Sequence, residues 1–134
     1  MLTQEPGTCS AQVGQDYELG IQVTNTSQQP VVLQTVKPVP GVPGMISVLS
    51  WQWNPCGYNA AGSALAMSGT TRVWLMLQPG ESVWLTATVK PLVACPTRAP
   101  LQFNVTYTVN SQTSTPTLAG FSDLSTVPFA GCKA

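Results

Sequence analysis

The segment LQFNVTYTV, residues 101–109, alternates apolar and polar side chains without a break. Successive side chains of an extended chain point to opposite sides, so Leu101, Phe103, Val105, Tyr107 and Val109 share one face. Gln102, Asn104, Thr106 and Thr108 share the other. A segment of this kind is a strand with one buried and one wet face, and it requires a second layer to bury against.

The same period recurs along the chain. Tyr17, Leu19, Ile21 and Val23 alternate with Glu18, Gly20, Gln22 and Thr24. Val83, Leu85, Ala87 and Val89 alternate with Trp84, Thr86 and Thr88. VVLQTVK and MISVLSWQW read as two further strands, separated by PVPGVPG, whose prolines and glycines forbid a central ladder. Val73, Leu75 and Leu77 point one way in another short strand, and a last extended segment lies within LAGFSDLSTVPFAG. With a short strand near CSAQV, about eight strands separated by turn signals predict an all-β, immunoglobulin-like, two-sheet antiparallel sandwich. Residues 1–134 read as one such domain, with 1–8 as a flexible lead and 54–70 as a long loop. The first residues lack the charged start and apolar run of a signal peptide, so the chain reads as a mature domain or trimmed ectodomain.

Function classes narrow by what the chain lacks. Five acidic and five basic residues make up 7% of it, against about 25% in an ordinary globular domain, and there is no histidine. No basic stripe exists to hold nucleic acid. No apolar run reaches the ~20 residues that span a bilayer as a helix. Ser-His-Asp and Cys-His arrangements are excluded. Glu5, Asp16, Glu18, Glu81 and Asp123 are too scattered to nominate a glycosidase pair, and Asp16 with Glu18 supplies too few oxygens for calcium. No catalytic residue, cofactor or metal ligand is therefore nominated, and the chain reads as a non-enzyme.

Cys9, Cys56, Cys95 and Cys132 are spread along the chain with no C-x-x-C spacing. An even number of cysteines in a Thr-rich β chain predicts two disulfides and an oxidising, secreted or cell-surface location. If every strand reverses direction, counting turns puts all four cysteines at one end of the sandwich. The favoured pairing is Cys56 with Cys95 and Cys9 with Cys132, among three possible connectivities.

Tryptophans are the candidate binding surface. Trp51 and Trp53 share a face, and the following NPCGY makes them either a core corner packed on a disulfide or an aromatic shelf with Tyr58. Trp74 and Trp84 point outward from their strands. A tight hairpin at QPGE would set an inward residue opposite an outward one, which antiparallel pairing forbids. Either QPGE carries an extra residue or it arches between the sheets, leaving Trp74 and Trp84 on opposite outer faces. NTS at Asn25 and NVT at Asn104 match the N-glycosylation pattern, at positions expected to be exposed.

YELGIQVTNTS and LQPGESVWLTATV are similar to the strand-Asn-turn and Leu-x-Pro-Gly-Glu-strand signatures of bacterial, actinobacterial-like extracytoplasmic Ig-like domains, including the cell-adhesion-related bacterial domain. The likeness covers roughly residues 17–109 and implies fold and compartment, with no catalytic set. With no catalytic set in the residues, the first reading is a non-catalytic accessory or interaction domain that presents its loops or an outer aromatic face to a protein partner or cell-envelope component. A purely structural spacer in a larger chain is a further alternative. Family-two cellulose-binding modules resemble the chain in their terminal cysteines, V-T-N-T strand end and Pro-Gly turn, which makes a carbohydrate-binding module the alternative. Their planar tryptophan triad does not align with Trp51, Trp53, Trp74 and Trp84.

Overall fold

The two segments with the cleanest alternation lie inside the two sheets of the computed structural model, which describes residues 1–57 and 75–132. β1 (Leu2–Val13), β2 (Asp16–Asn25), β6 (Ser82–Pro91) and β4 (Ile46–Gln52) form one antiparallel sheet in that order. β5 (Leu75–Leu77), β3 (Val31–Pro40) and β7 (Leu101–Val109) form the other, with β8 (Gln112–Ser114) and β9 (Thr117–Phe121) both on the free side of β7. The predicted two-sheet sandwich is thus present, with nine strands among the described residues and two disulfides.

The apolar half of each alternation makes the core. Leu19, Ile21, Val23, Trp51, Leu85, Ala87 and Val89 from the first sheet meet Val31, Leu33, Val36, Leu101, Phe103 and Val105 from the second, all fully buried. Burial of side chains this size stabilises by roughly 1.5 to 3 kcal/mol each before conformational entropy is set against it. After β9, two 3₁₀ turns, Leu124–Thr126 and Ala130–Cys132, bring Leu124, Val127 and Phe129 over one end of that core. There Phe129 meets Tyr17 edge-on, with ring centroids 4.7 Å apart.

QPGE arches between the sheets. Gln78 accepts from the Glu81 N–H at 2.9 Å, and Gly80 takes the positive φ, 83°, that this turn requires. β5 enters it from the second sheet and β6 leaves it in the first. Asn110 and Ser111, both at positive φ, make the two-residue turn between β7 and β8.

Three expectations are corrected. β1 begins at Leu2, so residues 1–8 belong to an edge strand, and Cys9 lies inside it opposite Gly20. The disulfides join Cys9 to Cys56 and Cys95 to Cys132, not Cys56 to Cys95 and Cys9 to Cys132. The reason is a lost reversal. β4 runs toward the end of the sandwich marked by Asn25, and β5 runs toward that same end, because Leu77 lies opposite Val31. Counting one turn between them therefore misplaces everything downstream. Cys95 follows β6 to the opposite end, marked by Gln15, where Cys132 also arrives, while Cys9 and Cys56 meet on the outer face of the first sheet.

Candidate interaction surfaces

Over the outer face of the first sheet, residues 53–57 form a small lid. Gly20 lets the Cys9–Cys56 bond lie against the sheet, since a Cβ there would stand 2.5 Å from the Cys9 sulfur and 2.6 Å from the Thr86 hydroxyl. Gly57 donates its N–H to Glu18 Oε1 at 2.5 Å, and Gln52 Nε2 stands 3.5 Å from Oε2. Thr86 donates to the Asn54 carbonyl at 2.6 Å. Glu18, Gln52 and Thr86 are consequently sealed from solvent, although strand alternation assigns Glu18 to the wet face. Nothing in the sequence signals that lid beyond Cys56 itself. Among the described residues, no three Cys, Asp or Glu side chains gather where they could hold a metal.

Trp51 and Trp53 form a core corner. Trp51 is fully buried opposite Ala87, which removes it from any surface. Trp53 packs edge-on against it, with centroids 5.5 Å apart and planes at 82°, and its indole N–H is buried without an acceptor. Trp84 stands opposite Gln22 on the outer face of the first sheet, half-buried. Trp74 and Tyr58, the other two candidates, lie outside the described residues. Among those described, the tryptophans make no exposed cluster of the kind that stacks on sugars.

Asn25 also differs from expectation. It is fully buried, donating Nδ2 to the carbonyls of Gln29 and Leu77 at 2.8 and 2.9 Å while Oδ1 accepts from the N–H and hydroxyl of Ser27. Alternation already pointed there, since 25 continues the inward series 17, 19, 21, 23. Asn104 is half-buried on the outer face of β7 and accepts from the Thr117 hydroxyl at 2.7 Å.

The Gln15 end carries an exposed apolar loop and two clefts. β6 runs out into Leu92 and Val93, which are 52% and 38% exposed. The Leu92 N–H donates to the Met45 carbonyl at 2.9 Å and ties this loop to residues 41–45. The next turn is fastened by Cys95–Cys132, with Gly131 so close to the Ala94 backbone that any side chain would collide. Between this loop, the β1–β2 turn and the C-terminal segment lies a cleft of about 270 Å³, lined by Gln12, Gln15, Tyr17, Lys90 and Phe129 among others. A second, of about 180 Å³, is lined by Ser10, Ala11, Gln12, Tyr17 and Pro128. Gln12 and Tyr17 line both, so the two clefts adjoin at that cross-strand pair and together make a bent relief. Its floor is held by the Ala130 N–H donating to the Tyr17 hydroxyl at 2.8 Å.

Asp123 caps the first 3₁₀ turn. Its Oδ1 accepts the Ser125 N–H at 2.9 Å and the Arg98 N–H at 2.8 Å, holding Arg98 at a φ of 52°. These bonds, that from Ser125 foremost, hold the carboxyl below its ordinary pKa because they stabilise the charged form. Sequence reading passed over Leu92 and Val93. Their signal was an uncharged Leu-Val-Ala run directly after a strand-ending proline.

No protein-family model matches the chain, and no curated protein matches it. Among solved structures, the GAE domain of GGA2p from Saccharomyces cerevisiae is similar with a TM-score of 0.43 and 15% identity, over 87% of this chain and 93% of that one. The N-terminal domain of PorA is similar with a TM-score of 0.40 and 15% identity, over 72% of this chain and 67% of that one. Function therefore rests on the chain's own surface.

Proposed function

We propose that the chain is a non-catalytic, extracytoplasmic sandwich that presents its Gln15 end to a protein partner or protein component of the cell envelope. The observation that carries this reading is the pair Leu92 and Val93, exposed on a loop that a hydrogen bond to Met45 and the Cys95–Cys132 bond both fix. A fixed apolar loop loses little conformational entropy on docking, which is what lets a small contact bind. The two disulfides support an oxidising compartment. The carbohydrate alternative loses its platform with the burial of Trp51.

A photo-crosslinking residue at Val93, in the protein made by its own host, is expected to give a discrete protein adduct. The same residue at Gln102, exposed on the outer face of β7, is expected to give none. Leu92→Asp should abolish the adduct without changing the unfolding midpoint. Equal labelling from both positions, or a glycan-induced change in tryptophan fluorescence that Trp84→Ala removes, would overturn the reading.

A further inference from the structure

Beyond the Pro-Gly interruption at Pro6 and Gly7, β1 pairs with β2 from Thr8 to Val13, and among the described residues no strand pairs with its other side. Free edges are ordinarily blunted by lysine, proline, a bulge or a covering loop. The opposite edge strand of this sheet, β4, has such a bulge at Leu49, between Val48 and Ser50. β1 has its own register break before Thr8, between Gln4 and Thr8, and no further break from Thr8 to Val13. TCSAQV contains neither a charge nor a proline. Thr8, Ser10 and Gln12 are exposed on the side that faces the second sheet, where core residues would otherwise stand. The smaller cleft is lined by the last two of them, Ser10 and Gln12.

An unpaired strand edge offers alternating main-chain N–H and C=O groups, and the partner that satisfies a row of them is another extended polypeptide. Six residues of edge span about 20 Å, enough for a five- or six-residue segment. Side chains of an added strand that turn inward would enter the cleft of Ser10, Gln12, Tyr17 and Pro128. The adjoining cleft, which shares Gln12 and Tyr17, reaches Lys90; among the described residues Lys90 is the one charged residue lining either cleft, and no acid lines them. We infer that the partner of this chain docks as an extended peptide segment added beside residues 8–13 of β1, with a carboxylate held at Lys90.

This deepens the reading of the Gln15 end as a protein-binding surface and depends on it. The test uses the disulfide-bonded protein and a display library of random dodecapeptides. Enriched peptides are expected to carry Asp, Glu or a free C-terminus. On binding they should slow hydrogen exchange at alternate amides within 8–13. Lys90→Glu should weaken them about tenfold. Amidating the C-terminus distinguishes a terminal carboxylate from a side-chain one.

Neighbouring strand residues turn their N–H groups to opposite sides, so one of Ser10→Pro and Ala11→Pro removes an outward donor while leaving the β1–β2 ladder intact. That variant should fold and lose the peptides. Strand addition is overturned if no peptide is enriched, if protection falls outside 8–13, or if Lys90→Glu and both proline variants bind unchanged. It is also overturned if the free protein sediments as a dimer that the same proline disperses, since the edge then belongs to a second copy. A Val93 adduct that persists through these failures leaves the broader reading standing, and loss of that adduct alone refutes the broader reading.

Discussion

Asn25 donates its side-chain amide to the carbonyl of Leu77, 2.9 Å away, and so joins the last residue of β2 in one sheet to the last residue of β5 in the other. Its main chain completes the tie, because Gly80 N–H donates to the Asn25 carbonyl and Asn25 N–H to that of Glu81. The QPGE arch is thus hydrogen-bonded to the turn that follows β2, and one side chain aligns the two sheets at this end.

Replacing Asn25 by Ala leaves the buried Leu77 carbonyl without its donor and removes the bonds to Ser27 and Gln29 at the edge of the same site. We expect a loss of about 1 to 3 kcal/mol in urea unfolding. Asn104→Ala, on the half-exposed outer face, should change stability by no more than about 0.5 kcal/mol. The same burial governs glycosylation. Folded protein secreted from a eukaryotic host should carry no glycan on Asn25 by peptide mass mapping, and Asn104 should be the occupied site if either is.

Gly20→Ala places a methyl group against the Cys9 sulfur and the Thr86 hydroxyl. The disulfide cannot lie flat over it, so free thiol should become measurable under native conditions, with a stability loss of about 1 to 3 kcal/mol. Gly7→Ala meets nothing within 4 Å and serves as the neutral control.

Non-reducing peptide mapping should recover Cys9 joined to Cys56 and Cys95 joined to Cys132. A Cys56–Cys95 peptide would refute the topology. The loops span 47 and 37 residues, so on the chain-entropy account replacing either pair with serine costs up to about 4 kcal/mol. Loss of Cys95–Cys132 should also increase hydrogen exchange at the Ala130 amide, which bonds to Tyr17.

Asp123 has a folded-state pKa below its ordinary value of 3.8. A carboxyl lowered on folding contributes stability that is complete above the unfolded value and disappears as pH falls through the folded one. The unfolding midpoint should therefore fall on acidification below about pH 4, and Asp123→Asn should flatten that part of the profile.

The interior strands were legible because burial of one face forces strict alternation, as in 17–23 and 101–109. The arch was legible as one of two solutions, because Leu75 and Trp84 could not share a hairpin. β1 was legible only as a short strand near CSAQV, since LTQEPGT shows no apolar alternation and carries a Pro-Gly pair. Glu18 was misplaced because its lid comes from residues 53–57, distant in sequence. Asn25 was misread because its NTS resembles an exposed turn, although its position in the inward series contradicts that. The groove at the Gln15 end joins the first strand to the last dozen residues, and no local pattern encodes such a meeting.

Each disulfide joins cysteines that are consecutive in the chain, the first with the second and the third with the fourth. A polypeptide oxidised in the order in which it emerges makes both native bonds with no reshuffling. Cys9–Cys56 needs only β1 through β4 to be available, whereas β6, which sits between β2 and β4 in the finished sheet, arrives afterward. Its place between β2 and β4 therefore has to be taken beneath a bond that already joins β1 to residues 53–57.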